Sequence, residues 1–288
     1  MSNDNTIGFI GLGQMGLGMA CNLITAGYDV LGYDVAAKPL ELFTAQGGRS
    51  AQDVAQIGRE CQRIMLMVVS GDQVESVVCG DDGLLHTMKS GIIMVCSTIA
   101  LSELRPVAER ATARGVEVID CPVSGGEKGA VEGTLTILCG GDEALVEAQR
   151  PLLDLLGSNV VYMGPSGAGL VGKLANNLII NVNRLAIGEA MAMAQKAGVS
   201  LEVLHRTLIT CSADSRILRN LKAPIVRGEY PTMTFHGLKD ITAAVDSGRA
   251  VKQAMPVTNL CREIYQLVDA KLGGLCGSSE VLRYFLEN

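Results

Sequence analysis

Short apolar runs separated by helix-length segments make up residues 6–163. The runs are TIGFIG, DVLGYD, RIMLMVV, IIMVCST, VEVIDCPV, LTILCGG and NVVYMG. They are rich in Val and Ile and continuous rather than alternating, which suits strands covered on both faces. Segments such as GLGMACNLITAG lie between them, so this half predicts a parallel sheet with helical crossovers. The pattern changes after MGPSGAG. From about residue 170 the chain reads as helices, the first long and apolar, running to about Ala197 with Gly198 placed to stop it. Such a helix would hold about 26 residues and reach roughly 39 Å. Being apolar nearly all round, it is expected to be buried on most faces and to join a subunit interface. The expected architecture is α/β. A doubly wound sheet domain over 1–164 precedes an all-α domain over 165–288, with the long helix between them.

One loop gives the sheet domain a chemistry. FIGLGQMGLGMACNL places Gly11, Gly13 and Gly16 between the first strand and the first helix. In a dinucleotide-binding Rossmann-type unit the first glycine permits the tight turn. The second lets the backbone approach a pyrophosphate, and the third lets helix and strand pack closely. The helix N-terminus then faces the phosphates with free N–H groups. Leu12, Gln14 and Met15 fill the same loop and are expected at the cofactor. Asp34 follows the second strand and can accept from the adenosine ribose hydroxyls while repelling a 2′-phosphate. No Arg follows it, so NAD is expected over NADP; the alternative reading is that Asp34 caps the next turn.

Composition narrows the partners. The 288 residues are 48% apolar and 19% charged, enough for a large core, and the net charge of −6 comes with no basic stripe. Nucleic acid is therefore not an expected partner. MSNDNTIGFIG has no basic and apolar leader pattern, and no apolar run reaches the length of about 20 residues that spans a bilayer. A cytoplasmic protein is expected. Nine cysteines occur without a C-x-x-C pair, and His86, His205 and His236 form no cluster. The cysteines read as small buried hydrophobes in a reducing compartment, and no metal is expected.

GAGLVGKLANN sets Lys173 near the start of the long helix, with Asn177 four residues on and on the same face. Gly167 and Gly169 keep the approach open. A first-turn position and partial burial would both lower the amine pKa and suit it to proton exchange. The alternative is a lysine that snorkels to a carbonyl. PVSGGEKGA offers a Ser124 hydroxyl and the unobstructed N–H groups of Gly125 and Gly126, a turn that suits a carboxylate or is merely a strand end. In VCSTIA, Thr98 falls at the carboxyl edge of the sheet, where such folds bind ligands.

Four motifs, in order, resemble the β-hydroxyacid dehydrogenases, the family of 3-hydroxyisobutyrate dehydrogenase and tartronate semialdehyde reductase. They are GFIGLGQMGLGMACNL (8–23), DCPVSGGEKGAVEGTLTILCGG (120–141), GAGLVGKLANN (167–177) and LKDITAAVD (238–246). The resemblance implies a reversible dehydrogenase of a small β-hydroxy carboxylic acid: 3-hydroxyisobutyrate, glycerate or tartronate semialdehyde, 3-hydroxypropionate, or a sugar acid such as threonate. It implies that Lys173 exchanges the hydroxyl proton and that Asn177 binds substrate with Ser124, Gly125 and Gly126. Thr98 is placed beside the nicotinamide, and it too would hold substrate. Val68 and Val69 stand where the family usually has Leu-Pro against the adenosine half, Gln73 is a cofactor-side polar residue, and Lys239 reaches the cofactor with Asp240 to orient it. Thr232, with Phe235 nearby, and Gly277 depart from the pattern where an aromatic and an Asp are common, in the region that shapes the substrate pocket. Ser212 and Ser215 are further substrate-pocket candidates or helix caps. A homodimer or homotetramer is expected. Two alternatives are open: a same-fold reductase of another carbonyl or an imine, and a non-catalytic dinucleotide-binding homologue.

Overall fold

The computed structural model describes residues 5–230, 237–272 and 280–287. His236, Thr232, Phe235 and Gly277 lie outside them. The chain divides into two compact units, Met1–Lys173 and Leu174–Asn288. The division falls within a single helix.

In the first unit β1 (Thr6–Ile10), α1 (Gly16–Thr25), β2 (Asp29–Tyr33), α2 (Ala37–Ala45), β3 (Arg49–Ser50), α3 (Val54–Glu60) and β4 (Arg63–Leu66) come first. Next are α4 (Gly71–Cys79), α5 (Leu84–Thr87), β5 (Gly91–Val95), α6 (Leu101–Thr112) and β6 (Val116–Asp120). The unit continues through β7 (Val123–Ser124), α7 (Gly126–Glu132), β8 (Thr136–Gly140), α8 (Glu143–Leu153) and β9 (Asn159–Gly164) into α9 (Ala168–Lys196). The sheet order is β3-β2-β1-β4-β5-β6-β8-β7, with β9 against β8. Its first six strands have the doubly wound order, with the direction of winding reversed between β1 and β4.

Continuous apolar runs become strands because both faces are covered. Along β5, Ile92 and Met94 join one core with Phe9, Met19 and Phe43, while Ile93 and Val95 join the other with Ile10, Leu31 and Leu66. Successive side chains point to opposite faces, so every position along such a strand is apolar. The expected parallel order holds from β3 to β6. β7 and β8, however, run antiparallel to each other, and β8 runs antiparallel to β6. VEVIDCPV accordingly splits into two strands at Cys121 and Pro122. Only α7 and a short turn join β7 to β8, less than the dozen or so residues a parallel crossover needs. α1 crosses α7 at Gly18, where a side chain would stand 2.9 Å from the Val131 nitrogen, and the Asn22 amide donates to the Ala130 carbonyl at 2.8 Å.

The second unit is helical. After α9 come α10 (Leu201–Leu208), α11 (Arg216–Asn220), α12 (Lys222–Arg227), α13 (Gly237–Ala250), α14 (Pro256–Leu272) and α15 (Glu280–Leu286). α9 has 29 residues and stops as expected at Gly198, whose φ of 77° is left-handed. Leu185 of α9 packs with Ile241, Tyr265 and Val281, and Met191 packs with Leu218, Ile225 and Leu282. The expectation that α9 is buried on most faces needs correction for the single chain, where Ile179 is 57% and Met193 71% exposed. Ser215 caps α11 by accepting from the Leu218 N–H, and Ser212 is exposed. Among the described residues no helix is long and apolar enough to cross a membrane.

Candidate active site

The glycine loop lies at the carboxyl edge of β1, and each glycine answers a different constraint. Gly11 has φ of 92°, its N–H donates to the Tyr33 carbonyl at 2.9 Å, and a side chain on it would strike the Met67 carbonyl. A side chain on Gly16 would overlap the carbonyl oxygen of Gly11. Gly13 is the opposite case. Nothing lies within 4 Å of where its Cβ would be. Met15 precedes α1, and no side chain caps that helix start. An open glycine at an uncapped helix start is the cradle a pyrophosphate requires, so the residues fit a dinucleotide. Leu12, Gly13, Gln14 and Lys38 help to line a cleft of about 530 Å³ beside it. A larger groove of about 1120 Å³, lined by Arg105, Glu109 and Glu117 among others, contains none of the sequence-predicted site residues.

Asp34 directly follows β2 and is bonded within the protein. Its Oδ2 accepts from the Leu12 N–H at 2.7 Å and its Oδ1 from the Ala36 N–H at 2.9 Å. It thus caps the following turn, the alternative reading, and also ties down the glycine loop. Across the switch between β1 and β4, Val68 donates its N–H to the Ser97 hydroxyl at 2.9 Å. Val69 donates to the Gln73 Oε1 at 2.7 Å. Gln73 therefore holds the loop shaped by Val68 and Val69, a local role that the spacing does not suggest. Ser97 is fully buried and joins the loops after β4 and β5; half-buried Thr98 follows it.

Four residues beyond β6 the chain turns at Ser124. Gly125 has φ of 142° and Gly126 φ of 67°, and the space where a Gly126 side chain would go is empty. Two successive glycines in conformations that other residues rarely adopt leave their N–H groups uncovered by side chains. Asp120, the last residue of β6, is fully buried. Its Oδ1 accepts from the Gly167 N–H at 2.7 Å and its Oδ2 from the Leu170 N–H at 2.8 Å. Burial pushes its carboxyl above the usual range against the opposing pull of those backbone donors. Lys173 is half-buried, as expected. It stands sixth in α9, in the second turn rather than the first, so the helix dipole weighs on it less than the sequence suggests.

In the second unit Asn177 is only 5% exposed. Its Nδ2 donates to Asp240 Oδ2 at 2.8 Å, and Asp240 Oδ1 lies 3.6 Å from the Lys239 amine. One carboxylate on α13 thus joins the predicted substrate-side Asn177 to the predicted cofactor-side Lys239. The Asn181 amide donates to the Asn177 carbonyl, and its Oδ1 accepts from the Tyr265 hydroxyl at 2.8 Å. No local pattern in the sequence singles out Ser97, Asn181, Tyr265 or Asp120.

All eight described cysteines are free, and burial pushes Cys61 and Cys261 up to about 12. Six are buried, as expected; Cys21 is half-buried and Cys211 exposed. No cluster of three or more potential metal ligands occurs among the described residues.

Residues 6–164 match the NAD binding domain of 6-phosphogluconate dehydrogenase. Residues 167–285 match the model described as NAD-binding of NADP-dependent 3-hydroxyisobutyrate dehydrogenase. The chain is 34% identical to 3-hydroxyisobutyrate dehydrogenase of Pseudomonas aeruginosa over 286 residues, covering 95% of this chain and 96% of that one. It is 34% identical to 2-hydroxy-3-oxopropionate reductase of Escherichia coli over 281 residues, 96% of each. Its fold superposes on Mycobacterium tuberculosis 3-hydroxyisobutyrate dehydrogenase with L-serine at a TM-score of 0.88, with 28% identity and 97% and 98% of the two chains covered. Open glycine loop, helical second unit and full-length relatives agree: the chain belongs to the NAD(P)-dependent β-hydroxyacid dehydrogenases, oxidoreductases acting on small hydroxy acids.

Proposed function

We propose that this protein reversibly oxidises the hydroxyl group of a small β-hydroxy carboxylate with NAD, and that Lys173 exchanges the hydroxyl proton. The observation that carries this reading is the Asp120 clamp. It joins the strand end that leads into the Ser124–Gly125–Gly126 turn to the helix start that leads to Lys173. An anion-accepting turn and a half-buried amine are thereby tied through one residue of the first unit.

Gly11, Leu12, Gly13, Gln14, Met15 and Gly16 would hold the pyrophosphate, with Val68, Val69 and Gln73 on the adenosine side and Thr98 and Lys239 toward the nicotinamide. The bound cofactor supplies the acceptor for the two electrons that leave the substrate carbon. The protein aligns, excludes water and moves the proton. Ser124, Gly125 and Gly126 receive the carboxylate, Thr98 and Asn177 hold the substrate, and Lys173 takes the hydroxyl proton on oxidation and returns it on reduction. Asp34 supports NAD over NADP, because its carboxylate beside the glycine loop would repel a 2′-phosphate. Candidate substrates are 3-hydroxyisobutyrate, glycerate, 3-hydroxypropionate and threonate. Residues 1–164 serve as the cofactor domain and 165–288 as the substrate and oligomerisation domain. Exposed Ile179 and Met193 on α9, and Leu260 and Leu267 on α14, support self-association into a dimer or tetramer. Free buried thiols suit the cytoplasm. Absorbance at the reduced-cofactor band, followed with a panel of these acids and either NAD or NADP, tests the reading. Absence of any change with every acid would reject it.

A further inference from the structure

The end of β6, the end of β8 and the start of α9 lie wholly within the first unit. Gly167, the residue before α9, has φ of 90° and no side chain with which to cap the helix. The N–H groups of the first turn would be orphans. Asp120 meets them from a strand 47 and 50 residues away in sequence, taking Gly167 N–H on one oxygen and Leu170 N–H on the other. The Leu170 N–H is a donor that a side chain at the cap position would satisfy, so the cap comes from the sheet instead of from the helix. No salt bridge among the described residues includes Asp120; its charge faces the positive end of the helix.

The space for that carboxylate is cut by two glycines. A Cβ on Gly140 would stand 2.6 Å from Asp120 Oδ1 and 2.8 Å from Oδ2. A Cβ on Gly169 would stand 2.8 Å from Oδ2. Either methyl would drive the carboxylate off the helix start. Lys173 follows Leu170 by three residues, about 4.5 Å along the axis. A slip of α9 by one residue would swing the amine by about 100° around the axis.

We propose that Asp120 is the positioning residue for Lys173: from β6 it fixes how far α9 advances and how it is turned, and so where the amine stands. The kinetic consequence rests on the proton-exchange reading of Lys173; the setting of the helix does not. The test is Asp120→Asn, which keeps the shape but points an amide toward N–H donors. The kcat for an accepted hydroxy acid should fall about 10- to 100-fold, the loss that a misplacement of about 1 Å can cause. The KM for NAD should stay within about twofold, because the glycine loop is untouched. Independently of turnover, the acetylation rate of Lys173 by acetic anhydride, read by mass spectrometry on the folded protein, should change while exposed Lys128 reacts as before. Gly140→Ala leaves Asp120 in place and crowds its carboxylate; it should reproduce both effects, and it carries the test should Asp120→Asn not fold. An unchanged Lys173 acetylation rate in a folded variant, or a kcat within twofold of wild type where Lys173→Ala itself loses turnover, would overturn the proposal. Were Lys173→Ala itself to keep turnover, the proton-exchange reading would fall, while the acetylation rate would still decide the role of Asp120.

Discussion

Gly13 and Gly16 stand three residues apart in one loop, yet their substitution by alanine should fail in opposite ways. At Gly16 the new methyl would overlap the carbonyl oxygen of Gly11 and stand 3.1 Å from the Phe9 ring. The oxygen is backbone and Phe9 is fully buried, so neither can move cheaply. Overpacking of this kind costs about 1–3 kcal/mol. In a unit of this size each kcal/mol lowers Tm by about 2–4 °C, so a fall of about 2–12 °C is expected. At Gly13 the methyl meets nothing within 4 Å, and the backbone there is not left-handed. Stability should change by less than about 1 kcal/mol and can rise, since alanine restricts the unfolded chain. The methyl would, however, stand where a pyrophosphate must approach the backbone. NADH affinity should drop at least about tenfold, equivalent to about 1.4 kcal/mol. Thermal melts and NADH fluorescence titrations on both variants measure the contrast. Wild-type NADH affinity in Gly13→Ala would refute the assignment of this opening to the dinucleotide.

Three further outcomes are expected. Asp34→Ala removes the acceptor of the Leu12 N–H and the charge that would oppose a 2′-phosphate, so kcat/KM should fall with NAD and rise relative to it with NADP; an unchanged ratio would remove Asp34 from cofactor choice. Asp240→Ala strands the Nδ2 of buried Asn177, which should lower stability by about 1–3 kcal/mol in denaturant titrations, and no loss would mean the bond contributes nothing. Burial raises the folded Asp120 carboxyl above an unfolded aspartate of about 3.9. The folded state then holds the extra proton between the two values, and stability falls as pH rises through that window. An asparagine does not titrate, so the stability of wild type relative to Asp120→Asn should be greatest below about pH 3.9 and decline to a plateau above the folded value. Paired denaturation curves across acidic and neutral pH would contradict this if the difference grew with pH.

Legibility differed between elements for physical reasons. The strands β1, β4 and β5 could be read because both of their faces are buried, which leaves an uninterrupted apolar run. The glycine loop could be read because Gly11, Gly13 and Gly16 meet three different steric demands at fixed spacing. The antiparallel turn of β7 and β8 could not, because strand direction leaves no mark on local hydrophobicity. The pattern shows Lys173 as an amine near a helix start but not its turn, since helix boundaries shift by a residue or two without changing the pattern. The position of Asp34 fits a ribose acceptor or a turn cap, whereas its bond to the Leu12 N–H spans 22 residues and leaves no local trace. Asp120 and Asp240 drew their importance from partners 47 to 63 residues away, a distance at which one sequence carries no signal of contact.

The proton-exchange role of Lys173 is tested most directly by Lys173→Ala, assayed for cofactor reduction with an accepted β-hydroxy acid and, separately, for NADH binding by fluorescence. Turnover should fall by about 10²- to 10⁴-fold, the range for loss of a general acid or base, with NADH affinity nearly unchanged. Turnover close to wild type, or an equal loss of turnover and binding, would show that the amine is structural and the mechanism wrong.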